Sequence, residues 1–358
     1  MKAIVLDRAG TVMLADRDDP RLQGPDDALV RVTTAAICGS DVHIVEGRDR
    51  GVRSGTIMGH EFVGVVEEVG AGVAGFSPGD RVLAPFTVSC GRCFYCDRGL
   101  PARCVSSQGF GFVTDDGWGL EGAQAELVRV PFAGSTLLAV PEKRADGTAV
   151  ADEEVLFLGD IFSTAYCCAE QAAFRPGDTV VVVGCGPVGL LCVLAARWLG
   201  AGSVVAVDEI DYRLDKACSL GAIGVDHRSE SLFPLLAELT RGRGADAALE
   251  AVGSTPALDL AIRAVRLGAV VSIAGFHTDA VYPLPIHAAY SKNLTLKVGR
   301  CSARAYMPKL LPRILEKGSP PLTDIITHVL PLSEGARGYD LFRRRQEAAI
   351  KVLLKPGY

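Results

Sequence analysis

Apolar and polar positions along the 358-residue chain fall into two textures. From residue 1 to about 150, short β-like runs such as ALVRVTTAAI, EFVGVVEEVG, DRVLAPF and AELVRVP alternate with glycine and proline. Turn residues, as in VAGFSPGDRV, separate them, which predicts a β-rich domain. At about residue 152 the texture changes, and DEEVLFLGDIFSTAYCCAEQAA carries apolar positions at helical spacing. RPGDTVVVVGCGPVGLLCVLAARWLGA then gives a turn, a buried strand, a glycine loop and a helix. SVVAVDEI reads as a strand and DYRLDKACSLGA as a helix ended by glycine. ADAALEAVGS, a helix to Leu267 and GAVVSIAGF continue the alternation to about residue 298. Such alternation predicts a parallel sheet with helices on both faces. The tail ends in AAIKVLLKP, a strand able to return to the first domain.

Composition narrows the function classes. Apolar residues make up 49% and charged residues 22%, the balance of a globular chain with a substantial core. The formal net charge is −5, against a protein built to bind nucleic acid or an anionic membrane. No apolar run is long enough to span a bilayer. Asp7 and Arg8 interrupt the N-terminus where a signal peptide needs an apolar core, so a cytoplasmic location is expected. In a reducing compartment, the closely spaced members of the eleven cysteines point to metal rather than disulfides.

The glycine loop is the first chemical motif. Gly184-Cys185-Gly186-Pro187-Val188-Gly189 follows a strand and opens a helix, the context a dinucleotide fingerprint requires. Gly184 would allow the tight turn, Gly186 the approach of a pyrophosphate, and Gly189 close helix–strand packing. The helix N-terminus, at Pro187 and Val188, would offer unpaired N–H groups to the phosphates. Asp208, 19 residues after Gly189, suits the ribose hydroxyls of NAD and would repel the extra phosphate of NADP. Arg213 nearby keeps NADP as the alternative.

Two groups of metal-ligand residue types follow. Cys38, in CGSDVH, precedes Gly59-His60-Glu61 by some twenty residues, and a thiolate with an imidazole makes a good zinc pair. Asp160, in LFLGDIFSTAY at the domain junction, is the candidate third ligand. Taken singly, Cys38 would read as a buried thiol and His60 as a core histidine. Cys90, Cys93, Cys96 and Cys104 form C-x2-C-x2-C-x7-C, which can close a tetrahedral zinc with no open position. That site can hold a loop but cannot bind substrate. On these cysteines alone, a zinc-ribbon nucleic-acid-binding protein is a rival reading, which the acidic charge and the βαβ run disfavour.

CGSDVH, GHEFVGVVEEVG, the four-cysteine lobe, LGDIFSTAY and VVVGCGPVG together resemble the zinc-dependent medium-chain alcohol dehydrogenase family, over essentially the whole chain. The resemblance implies an α/β protein in two domains. Residues 1–155 with 300–358 would form a β-rich GroES-like catalytic domain carrying the structural zinc lobe at 89–105. Residues 156–299 would form a Rossmann domain, a doubly wound parallel sheet that binds the cofactor. It also implies two zinc ions per chain: a catalytic one on Cys38, His60 and Asp160, in the cleft between the domains, and a structural one on the four cysteines. Glu61 would be the acid behind the metal, Asp41 would orient His60, and Ser40 and His43 would carry the alcohol proton to solvent. The implied activity is reversible hydride transfer between an alcohol and NAD, giving a ketone or aldehyde.

Two departures from the family pattern stand out. Asp160 replaces the cysteine of the best-known relatives and resembles the bacterial secondary-alcohol and formaldehyde dehydrogenase branches, so a formaldehyde dehydrogenase or aldehyde dismutase with tightly held NAD is the alternative. Gly39 stands where some relatives carry an arginine on the pyrophosphate, and Lys351 is the candidate substitute. A zinc-free quinone or enoyl reductase of the same superfamily would lack the Cys38/His60 pair. Phe86, Phe110, Phe112, Trp118, Leu120 and the segment near Cys301 are expected to line an apolar substrate pocket. Partners are then a small alcohol or carbonyl compound and, by family, further copies of the chain in a homodimer or homotetramer, with no nucleic acid and no membrane.

Overall fold

The computed structural model describes residues 1–8, 10–49 and 51–357. In chain order its strands are β1 (Lys2–Leu6), β2 (Val12–Asp16), β3 (Ala28–Ile37), β4 (Glu61–Val69), β5 (Arg81–Ala84), β6 (Leu127–Val130), β7 (Leu138–Ala139), β8 (Thr179–Val183), β9 (Ser203–Asp208), β10 (Ile223–Asp226), β11 (Ala245–Glu250), β12 (Val265–Ile273), β13 (Thr295–Val298), β14 (Ile326–Pro331) and β15 (Lys351–Lys355). Two compact units result: Met1–Ser163 with Ser302–Ser319 and Ile326–Tyr358, and Thr164–Cys301 with Pro320–Ile325.

The first unit is built on a sheet of order β14-β15-β3-β4-β5-β7, with β6 also paired to β3. The run ALVRVTTAAI is β3, and it is buried at nearly every position because side chains pack on both of its faces. Ala28, Val30, Val32 and Ala35 join a core with Phe62, Val82 and Phe110. Ile37 joins another with Ile4, Leu6, Tyr339, Val352 and Leu354. β4 and β15 both run antiparallel to β3, with Glu61 opposite Ala36 and Val352 opposite Ile37. The C-terminal end of β3 is thus flanked on both sides by strands from distant parts of the chain.

DEEVLFLGDIFSTAY is not one continuous helix. A short turn at Asp152–Val155 and a 3-10 turn at Leu156–Gly159 precede the helix Ile161–Gln171, and Asp160 between them has φ −149° and ψ −86°. Packing of Gly159 on β5 is the reason. A Cβ there would lie 2.3 Å from the Ala84 carbonyl oxygen, and Gly159 O accepts from Phe86 N at 3.2 Å. Leu156, Phe157 and Leu158 are fully buried in the same region, so residues 156–163 belong to the first unit and the division falls at Ser163/Thr164 rather than 155/156. The second division falls at Cys301/Ser302 rather than 299/300, and Pro320–Ile325 belongs to the second unit.

The second unit is a parallel six-stranded sheet of order β10-β9-β8-β11-β12-β13. Its connecting helices include Pro187–Trp198, Asp211–Ser219, Leu232–Thr240 and Thr255–Ala264. The last of these stops three residues before the expected Leu267. Val265 pairs with Ala245, and Arg266 Nε donates to Asp246 Oδ1 at 2.6 Å, so the chain is drawn into β12 early. Among the described residues, no helix is long and apolar enough to cross a membrane.

Candidate metal centres and cofactor loop

Cys38 lies between the end of β3 at Ile37 and the start of the helix Gly39–Val45. Its extended backbone (φ −105°, ψ 158°) places it before the first helical turn, and Asp41, three residues on, reaches back so that Oδ2 accepts from Cys38 N at 2.9 Å. The CGSD segment is therefore a helix start whose capping acid is also part of the site. Just before the neighbouring strand, Gly59 has φ +92°, a left-handed conformation that favours glycine, and turns the chain so that His60 leads into β4, which Glu61 opens. Asp160 arrives from the broken helix described above.

These elements bring ligand atoms of Cys38, His60, Glu61 and Asp160 within 4.8 Å of one another. Asp160 Oδ2 lies 3.6 Å from Cys38 Sγ and 3.1 Å from His60 Nε2. Zinc bonds of about 2.3 Å to sulfur and about 2.0–2.1 Å to nitrogen or oxygen leave tetrahedral edges of roughly 3.3–3.8 Å. The donor set and its spacing fit that ion. Ser40 Oγ sits 3.3 Å from the same His60 Nε2. Behind the ring, His60 Nδ1 is 3.1 Å from Asp41 Oδ1, close enough for an ion pair but off the line of a straight hydrogen bond. Burial pushes the Cys38 thiol up, and Glu61 and Asp160 add to this. Burial alone would lower His60, but Asp41 and Asp160 raise it well above the ordinary imidazole value.

Glu61 and Lys351 stand behind this group. Burial lifts Glu61 to about 7, while Lys351 pulls in the opposite direction. The expected role of Lys351 on a pyrophosphate is corrected by its position. It is fully buried, 2.7 Å from Glu61 Oε2 and 3.0 Å from the Ile37 carbonyl, with its ammonium also 5.6 Å from the centre of the Phe157 ring. Because β15 lies beside β3, the lysine is delivered to the interior rather than to a surface. His43, in the middle of the Gly39–Val45 helix, is half-buried, and burial together with Arg48 lowers its proton affinity.

Two buried residues that sequence reading missed complete the group. Gln124 Nε2 donates to Asp41 Oδ2 at 3.3 Å and to Ala36 O at 3.1 Å, and its Oε1 accepts from Tyr339 OH at 2.9 Å. A polar residue inside the apolar start of AQAELVRV was the one available signal for Gln124. Tyr339 lies on an amphipathic C-terminal helix, Gly335–Arg344, and gave none.

The four cysteines of the lobe also converge, with their sulfurs within 4.8 Å of one another. Cys93 and Cys96 sulfurs are 3.6 Å apart, close to the edge of a four-thiolate zinc tetrahedron, about 3.8 Å. Backbone N–H groups of Cys90 and Ser106 point at Cys104 Sγ. N–H groups of Cys96 and Val105 lower Cys93 to about 6, whereas burial and the Cys93 sulfur push Cys96 up to about 12.

In the second unit, Gly184 has φ +95°, and a Cβ on Gly189 would fall 1.8 Å from Gly184 O. Among the described residues, only the Arg213 guanidinium comes within 4 Å of the corresponding position on Gly186, at 4.0 Å. The middle glycine therefore faces open space, and Pro187 and Val188 beside it are partly exposed. Asp208 ends β9, with Oδ2 accepting from Cys185 N at 2.6 Å and Oδ1 from Glu209 N and Ile210 N at 2.8 and 3.0 Å. Of the aromatic and aliphatic residues expected to line a pocket, Phe110 and Leu120 belong to the core instead. Phe110 is fully buried and meets Phe62 edge-on at 5.2 Å. Phe112 packs on the other core, Phe86 lies half-buried beside the Asp160 turn, Trp118 is 45% exposed, and Cys301 is buried.

The family profile of the alcohol dehydrogenase GroES-like domain matches residues 24–142, and that of the zinc-binding dehydrogenase matches residues 187–316. A zinc-type alcohol dehydrogenase-like protein of Bacillus subtilis, AdhB, is 34% identical, covering 99% of this chain and 100% of that one. The glutathione-independent formaldehyde dehydrogenase of the same organism is 30% identical, over 99% and 97% of the two chains. Among solved structures, the alcohol dehydrogenase TADH from Thermus sp. ATN1 superposes with a TM-score of 0.92 at 40% identity, covering 99% of both chains. With two family profiles matched and a full-length relative above 30% identity, the chain belongs to the zinc-dependent medium-chain dehydrogenase family.

Proposed function

We propose that this oxidoreductase transfers hydride between an alcohol, secondary or apolar, and NAD, reversibly, using one zinc at Cys38, His60 and Asp160 and a second at Cys90, Cys93, Cys96 and Cys104. The convergence of a thiol, an imidazole and a carboxylate within 4.8 Å, with a serine hydroxyl 3.3 Å from the imidazole, carries this reading. When bound, zinc would supply Lewis acidity toward an alcohol oxygen, and NAD would supply the hydride acceptor.

The chain's own residues do the rest. Cys38, His60 and Asp160 hold the metal, and Asp41 fixes the ring of His60 from behind. Ser40 Oγ takes the alcohol proton, and half-buried His43, kept neutral by burial and Arg48, receives it at the outer end of the relay. Gly184, Gly186 and Gly189 shape the phosphate-binding turn, with Pro187 and Val188 opening the helix. Asp208 favours NAD over NADP, because its carboxylate repels a 2′-phosphate; Arg213 beside the loop, and His227 and Arg228 near Glu209, are the opposing charges. A second copy of the chain is expected along β13. Among the described residues that edge strand has no partner on its outer side, and Tyr290, Ile286 and Val298 are 81%, 69% and 72% exposed.

The test is metal analysis with an NAD-reduction screen over primary, secondary and polyol alcohols. About two zinc per chain and turnover lost in Cys38→Ser are expected, and retained turnover in that variant would sink the mechanism. Asp160 and the formaldehyde dehydrogenase relative support a second reading, an enzyme with tightly held NAD acting on formaldehyde. NAD that stays with the purified protein, and turnover of formaldehyde without added cofactor, would favour it.

A further inference from the structure

We infer that Gln124 and Tyr339 are positioning residues for the Cys38–His60–Asp160 centre, acting through Asp41. This rests on the zinc reading above. The two residues lie 215 positions apart in sequence, both are buried, and neither belongs to the group of convergent ligand atoms.

The argument is one of complete hydrogen-bond use. An amide side chain offers two N–H donors and one oxygen. Gln124 spends both donors, on Ala36 O and Asp41 Oδ2, and its oxygen accepts the Tyr339 hydroxyl. Rotating the amide by half a turn would set its oxygen against the Ala36 carbonyl and the Asp41 carboxylate, acceptor facing acceptor. The Ala36 carbonyl and the Asp41 carboxylate therefore select one orientation of the amide, and the Tyr339 hydroxyl donates to the oxygen which that orientation presents. That amide in turn holds Asp41, whose two oxygens face the backbone N–H of Cys38 and the ring of His60. One carboxylate thus positions two of the three proposed ligands, and Gln124 is the side chain that keeps it from turning.

The backbone beside His60 is shaped to the same residue. A Cβ on Gly59 would lie 2.4 Å from Gln124 Cγ, so the glutamine occupies the space that the glycine leaves open. Met58 O and Gly59 O accept from the backbone N–H groups of Gln124 and Ala123 at 2.8 and 2.9 Å, which locks the two segments in register. Leaving buried Asp41 without its amide donor exposes an acceptor to a penalty that a surface acid would escape.

The experiment uses full-length, zinc-loaded protein and follows transfer of zinc to a chelating dye, with the four-cysteine site as an internal control. Gln124→Met should weaken zinc at the Cys38–His60–Asp160 centre roughly 10-fold, the low end of what losing an outer partner of a metal ligand costs, because Gln124 acts one step further out, through Asp41. Tyr339→Phe, which removes one hydroxyl and little volume, should act in the same direction by roughly 3- to 10-fold. It keeps the test open if Gln124→Met folds poorly. Asp41→Asn combined with Gln124→Met should lose no more zinc affinity than Asp41→Asn alone, and the cobalt-substituted protein should show a shifted visible spectrum in each single variant. Wild-type zinc affinity in both Gln124→Met and Tyr339→Phe, or losses that multiply in the double variant, would overturn the assignment. A wild-type protein that takes zinc at the four cysteines alone would instead overturn the zinc reading on which the assignment stands.

Discussion

Lys351 Nζ lies 2.7 Å from Glu61 Oε2, and neither side chain is exposed to solvent. The pair spans β3: Glu61 opens β4 on one side of it, Lys351 opens β15 on the other, and the ammonium also meets the carbonyl of Ile37 on β3 itself. A lysine that would serve a phosphate at a surface serves here to neutralise an acid beside the proposed metal.

Lys351→Met should therefore destabilise the first unit, not merely weaken cofactor binding. Breaking a buried pair by removing one partner costs about 3–5 kcal/mol, because the other charge is left uncompensated. Denaturant unfolding should show this loss, and Lys351→Met combined with Glu61→Leu should recover part of it. A variant as stable as wild type would contradict the pairing.

The cysteine lobe should depend on metal for its order. Phe94, Leu100 and Val105 are 59%, 45% and 74% exposed, so the segment has little core of its own. Stripping zinc with a chelator should open trypsin cleavage at the exposed Arg92, Arg98 and Arg103, while zinc repletion should suppress it. Equal cleavage with and without metal would rule out a structural zinc there.

His43 gives a pH prediction for activity. Its folded value lies below the ordinary imidazole value of about 6.5, through burial first and Arg48 second. It accepts protons only while neutral, so alcohol oxidation should hold at neutral pH and decline as pH falls through that lowered value. His43→Gln should remove this acidic limb and slow oxidation at pH 7 by up to roughly 100-fold, the low end of general acid–base contributions. An unchanged profile of kcat/KM against pH would remove His43 from the relay.

Asp152 gives a pH prediction for stability. Burial raises its proton affinity, but Thr33 and Thr34 hydroxyls on Oδ2 and the Arg81 guanidinium on Oδ1 outweigh it and hold the carboxyl below its usual range. Its contribution is present in full above the unfolded value of about 3.9 and is lost as pH falls through the lower folded value. Asp152→Asn should thus be less stable than wild type at pH 7, and the gap should close below about pH 4. A constant gap across that range, measured by thermal unfolding, would contradict this ion-pair network.

What could be read from the chain follows from local rules. Alternating apolar runs marked β3 and β4, the glycine loop marked the start of the Pro187–Trp198 helix, and the cysteine spacing marked the lobe, because strand pairing, tight turns and tetrahedral ligation each leave short-range patterns. Cys38, His60 and Asp160 were legible as residue types that suit a metal, each in a recognisable short segment. Tertiary structure decided the rest. Asp160 leaves its helix because Gly159 packs on Ala84, Lys351 turns inward because β15 pairs with β3, and Phe110 enters the core against Phe62. Gln124 and Tyr339 meet over Asp41 across 215 residues. Sheet register and core packing act between distant segments, and one sequence carries no local pattern that records them.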